Sequence, residues 1–88
     1  MKRGANQQPR PLARGASDAL SEYLAALEEI YPAAKGVARV VIRPDKRVIV
    51  SVLLPTRVRE RMRLFDHMAE VGTRLLLETG QYIILSSR

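Results

Sequence analysis

Eighty-eight residues suffice for one folded unit and not for two, because a single hydrophobic core needs on the order of 50–150 residues. The apolar share of 47% and the charged share of 27% are those of an ordinary packed domain, and a chain without cysteine has no disulfides, thiolate metal sites or cysteine nucleophile. The net charge of +6 is concentrated: Lys2, Arg3, Arg10 and Arg14 lie in residues 1–16 with no acid among them, leaving 11 bases against 9 acids in the rest of the chain.

Residues 1–16 combine Gly, Pro, Asn, Gln and Arg with little that is apolar, so they cannot bury enough surface to offset the entropy of ordering. The expectation is a disordered basic tail followed by one domain over 17–88. The first helix is expected to start at Ser17 or Asp18, either of which can accept a free backbone N–H as a cap. Leu20, Leu24, Leu27 and Tyr31 recur at steps of four, three and four, with Tyr23 and Ile30 beside them, which is the spacing of one buried helical face. Glu22, Glu28 and Glu29 fall on the other side, and Pro32 ends the helix near Tyr31.

Two β-branched runs, VARVVIR and RVIVSVLL, flank Pro44-Asp45-Lys46 and predict a β-hairpin. A three-residue loop sets Arg43 across from Arg47 and places Ala38, Val40 and Ile42 opposite Val52, Val50 and Val48 on the core side. The other side then carries Arg39, Val41 and Arg43 beside Arg47, Ile49 and Ser51. A register slip by one residue would exchange the two faces.

Pro55 stops the second strand, Thr56 is the expected cap, and a second helix is predicted over residues 57–78 with Gly80 closing it in a left-handed conformation. At 100° per residue, Val58, Met62, Phe65, Ala69, Gly72 and Leu76 cluster around Phe65 and form the expected core face. Leu64, Met68, Val71 and Leu75 widen the apolar arc on one flank, which the first helix or a second subunit must cover. Residues 81–86 form the last strand. The fold class that follows is α+β, in the order α-β-β-α-β, with a three-stranded, mostly antiparallel sheet and two helices on one face; a right-handed crossover can set the last strand beside either hairpin strand, and the preferred arrangement sets it beside the first.

This element order resembles that of type II KH domains, helix-strand-strand-helix-helix-strand, with the long second helix broken near Gly72. It resembles equally a ferredoxin-like unit short of its first strand. KH domains grip nucleotides with a G-x-x-G loop, whereas Val71-Gly72-Thr73-Arg74 supplies one glycine, so the resemblance extends to order and implies no function.

Catalytic chemistry finds no constellation. His67 has Glu70 one turn away, but a metal needs three or four ligands and Asp66 points about 100° aside. None of Ser17, Ser21, Ser51, Ser86 and Ser87 lies on a glycine-framed nucleophile turn. The expectation is no enzyme, no cofactor and no metal. Four aromatics, Tyr23, Tyr31, Phe65 and Tyr82, are too few for a stacking platform, and no apolar run approaches the roughly 20 residues that cross a bilayer, so a cytoplasmic protein without membrane contact is expected.

Two binding surfaces remain. The first reading is a protein-interaction module, homodimeric through the open sheet face (Val41, Ile49, Tyr82, Ile84) or through the apolar flank of the second helix (Leu64, Val71). The alternative is a small nucleic-acid-binding protein with Lys2, Arg3, Arg10 and Arg14 of the tail, Arg39, Arg43 and Arg47 of the hairpin, and Arg57, Arg59 and Arg63 of the second helix as phosphate contacts.

Overall fold

The computed structural model of the chain describes residues 15–88. The tail lysine and arginines at 2, 3, 10 and 14 lie outside them. Helix α1 spans Ala16–Ile30, strand β1 Arg39–Ile42, strand β2 Val48–Val52, helix α2 Val58–Thr79 and strand β3 Ile83–Ser87, with one 3-10 turn at Pro32–Ala34 after α1. The α-β-β-α-β order is as the periodicities predict.

The helix ends differ in detail. Gly15, and not Ser17 or Asp18, is the N-cap of α1, and Arg57, not Thr56, is that of α2; neither has a side-chain cap hydrogen bond. The turn before α2 is held by Arg61 instead, whose guanidinium donates to the carbonyls of Pro55 (3.2 Å) and Thr56 (3.4 Å). At the other end Gly80 adopts φ 78°, and its N–H donates to Leu76 at 2.8 Å, the left-handed closure expected of glycine there. Helix α2 runs unbroken through Gly72, so the break that a KH-like order would require is absent.

The hairpin has the expected register, with Val40 opposite Val50, Val41 opposite Ile49 and Ile42 opposite Val48. Its three-residue loop closes through Lys46 N–H to the Arg43 carbonyl and Arg43 N–H to the Arg47 carbonyl, both 2.8 Å, with Lys46 at φ 72° taking the left-handed position that follows the turn.

Strand order corrects the sequence reading: it is β1-β2-β3, with β3 parallel to β2 rather than beside β1, so the sheet is mixed and not mostly antiparallel. Ile83, Ile84 and Leu85 align with Val48, Ile49 and Val50. A helix joining two adjacent parallel strands by a right-handed crossover lies over those two strands. Here α2 packs on β3 and α1 packs on α2, while β1 has little contact with either helix. Val40 and Ile42, expected in the core, therefore remain 36% and 67% exposed, although their partners Val50 and Val48 are buried.

The same placement rotates α2. Its buried residues are Leu64, Met68, Val71, Gly72 and Leu75, the stripe expected to be a flank. Of the expected core face only Gly72 is buried, and Val58 and Met62 are 59% and 60% exposed. The reason is that α1 covers the flank with Ala19, Tyr23 and Leu27, all fully buried, and Arg74 of α2 clamps Glu22 of α1 at 2.7 Å along the outer rim. Tyr31 fastens the end of α1 to the end of β2 by donating its hydroxyl to the Leu53 carbonyl at 2.7 Å.

Gly72 sets how closely α2 approaches β3: a β-carbon there would stand 2.9 Å from the Ile83 carbonyl oxygen. Gly72→Ala is expected to cost about 1–3 kcal/mol despite the better helix propensity of alanine, because a strand backbone must move. Leu75→Ala should cost about 2–5 kcal/mol and Val58→Ala within about 0.5 kcal/mol, as the observed rotation demands. Urea unfolding of the three variants checks this; equal losses at 58 and 75 would contradict it.

Candidate interaction surfaces

One face of the sheet lies under the helices, and among the described residues nothing covers the other. Alternation along three paired strands determines which side chains reach the open face. The register carries Val41, Ile49 and Ile84 across it in one row, and Arg39, Ser51 and Ser86 in the next. Arg43 and Arg47 stand at the hairpin end. Tyr82 comes just before β3, and its carbonyl accepts from Val48 N–H at 2.9 Å. The four residues proposed from sequence for this face, Val41, Ile49, Tyr82 and Ile84, are thus brought together, with Ile49 at the centre because β2 is the middle strand. The other two interface candidates are not on a surface: Leu64 and Val71 are 3% and 8% exposed, covered by the protein's own first helix.

The arginines divide by partner. Arg47 donates its Nε–H to Asp45 at 2.7 Å, and its backbone N–H reaches the same carboxylate at 3.1 Å. That backbone hydrogen bond, followed by the Arg47 side-chain bond and the charges of Arg47 and Arg43, holds the Asp45 carboxyl below the ordinary carboxylate value. Arg57 lies 3.9 Å from Glu60. Among the described residues, Arg39, Arg43, Arg59 and Arg63 form no ion pair. Arg59 and Arg63 border an open hollow with Val58, Met62 and Asp66. The phosphate-contact candidates are therefore split between the sheet face and the start of α2, and the structure does not gather them into one patch.

A third surface went unrecognised in the sequence. Between the lateral side of α2 and the free edge of β3 lies a groove of about 280 Å³, walled by Phe65, Ala69 and Leu76 on one side and Tyr82, Ile83 and Ile84 on the other. Tyr23, 1% exposed, also borders it, and burial pushes its phenol well above the usual tyrosine range. The signal was present in Val58, Met62, Phe65, Ala69 and Leu76, but an apolar stripe reads the same whether it meets its own core or another element.

His67 and Glu70 are both exposed, and no group of three or more histidine, aspartate or glutamate side chains among the described residues could hold a metal ion. No described helix is long and apolar enough to cross a membrane. Comparison with protein-family models, curated proteins and solved structures finds no match to this chain.

The Asp45 contacts make a pH prediction. A carboxyl whose pKa is lower folded than unfolded contributes stability above the ordinary carboxylate value and loses it as the pH falls through the folded value. Asp45→Asn should therefore lower the melting temperature near neutral pH and leave it unchanged in strong acid, where wild type has also lost the interaction. A constant difference across the acid range would show that the loop contacts act independently of the charge.

Proposed function

We propose that the chain is a non-enzymatic protein-interaction module that takes a protein partner on its open sheet face. The observation that carries this reading is the apolar row Val41, Ile49 and Ile84, which crosses all three strands with no covering layer among the described residues. Exposed apolar side chains contiguous over a sheet mark contact surfaces in soluble proteins. Arg39 and Arg43, without ion pairs among the described residues, rim that row and suit a partner that is acidic around an apolar centre, an arrangement that favours fast and selective encounter. With Tyr82 as its one aromatic, the face lacks the set of stacking rings on which sheet-based readers of single-stranded RNA depend.

The test uses the full chain as bait, in parallel with a Val41→Glu, Ile49→Glu double variant whose substitutions lie on the open face. A protein captured by wild type should bind the double variant roughly 100-fold more weakly, as expected for a charge placed at the centre of an apolar contact. An unchanged affinity would remove the open face from the reading. If instead a random-sequence oligonucleotide binds, weakens about a thousandfold between 50 and 200 mM salt, and responds to Arg39→Ala and Arg43→Ala but not to Val41→Glu, the nucleic-acid reading replaces it.

A further inference from the structure

We infer that a second copy of this chain occupies the groove beside α2, continuing both layers of the fold across a two-fold axis that crosses the groove at the level of His67 along α2 and passes by Leu85 of β3. This rests on the lateral side of α2 and the free edge of β3, which share Tyr82 and Ile84 with the open sheet face but not Val41 or Ile49, and either reading can fail without the other.

Both layers stop unfinished at the same edge. In the helical layer, α1 covers one side of α2, and the opposite lateral side presents Val58, Met62, Phe65, Ala69 and Leu76. Their steps of four, three, four and seven are those of a seam between packed helices. In the sheet layer, β3 is an edge strand. Val48 N–H donates to the Tyr82 carbonyl at 2.9 Å and Arg88 N–H to the Val52 carbonyl at 3.0 Å, so even-numbered residues around β3 direct their backbone groups toward β2. Those directions alternate along a strand, which turns the N–H and C=O groups of Ile83, Leu85 and Ser87 away from the sheet.

The two edges of the sheet are not alike. Beside β1, Arg39 and Arg43 supply charge, and the Arg88 guanidinium caps the Val37 carbonyl at 3.0 Å. Charged side chains are the usual guard against unwanted strand pairing. Strand β3 reads Ile-Ile-Leu-Ser-Ser and has no charge, as befits an edge that is meant to pair.

Self-complementarity argues for a second copy rather than a foreign strand. Two-fold pairing requires that each element match its own reverse about the axis. About Leu85, antiparallel β3 strands pair Leu85 with Leu85 and Ile83 with Ser87, the residues whose backbone groups point outward. About His67, antiparallel α2 helices set Phe65 against Ala69, Met62 against Gly72 and Val58 against Leu76, so the two bulkiest side chains meet the two smallest residues. Arg63 then falls beside Glu70 of the second copy on the solvent side. One axis must serve both elements, and Gly72 over Ile83 fixes their relative position. Helix α2 runs antiparallel to β3, so going back five residues along it to His67 covers about 7.5 Å, and going forward two residues along β3 to Leu85 covers about 6.6 Å. The helix centre and the strand centre coincide to within about 1 Å.

Sedimentation equilibrium of the full chain at tens of micromolar should give twice the 9.9 kDa chain mass. Met62→Glu, Phe65→Glu and, as an independent variant, Ala69→Glu should each weaken the dimer by roughly 100-fold, since each buries an unpaired charge, while circular dichroism stays that of wild type. In wild type the Leu85 amide should be protected from hydrogen exchange and become labile in these variants, whereas Val50 stays protected in both. Val41→Glu with Ile49→Glu should leave the dimer intact. A monomeric wild type, or a dimer indifferent to all three groove substitutions, overturns the inference.

Discussion

The contact between Gly72 of α2 and the Ile83 carbonyl of β3 is the constraint from which much else follows. Only hydrogen fits in the space between a helix backbone and a strand backbone brought this close, and a β-carbon 2.9 Å from a carbonyl oxygen would push the layers apart. With α2 seated there, Leu64, Met68 and Leu75 enter the core alongside Val48, Val50, Val52 and Ile83. Tyr23 and Leu27 of α1 close the remaining side. Among the described residues, the interior is filled with aliphatic side chains and one tyrosine and holds no buried charge, which avoids desolvation costs that a domain of this size could not easily offset.

That seating has a cost elsewhere. Two helices over three strands cover β2 and β3 and leave β1 largely bare, so Val40, Val41 and Ile42 of one strand are exposed on both faces. The lateral stripe of α2 is bare as well. A fold with so little interior keeps a large apolar surface outside, and that surface is organised: a row across the open sheet, a helical seam at seven-residue spacing, and an uncharged strand edge beneath it. Each is a shape that another polypeptide can match with the same physics that built the interior.

The electrostatics fit this division. Arg74 and Glu22 join the two helices on the outer rim, and Asp45 with Arg47 stiffens the hairpin loop. These pairs are exposed and individually weak, so they orient elements that burial already holds. Arg39 and Arg43 surround the sheet row without ion pairs among the described residues; on the reading proposed above, they would select a partner by charge without being desolvated at the centre of the contact.

The local periodicities carried the elements, the hairpin register and the glycine closure of α2. Alternation in Val48–Val52, steps of three and four in α1, and a left-handed position at Gly80 are properties of short stretches, and no distant residue overrules them. The segregation of Val41 and Ile49 from Val48 and Val50 was legible for the same reason, and with it the open-face candidates. Strand order and helix rotation were not legible. In α2 nearly half the circumference is apolar, and which part faces inward depends on where α1 and β3 lie, which no pattern within residues 58–79 encodes. Gly72 contained the clue, a residue without a side chain in the middle of a helix, but its meaning appears only when Ile83 is seen against it. Leu64 and Val71 thus went from candidate interface to core, and Met62 and Phe65 from candidate core to surface, through a rotation of about a quarter turn that packing imposes on an unchanged sequence.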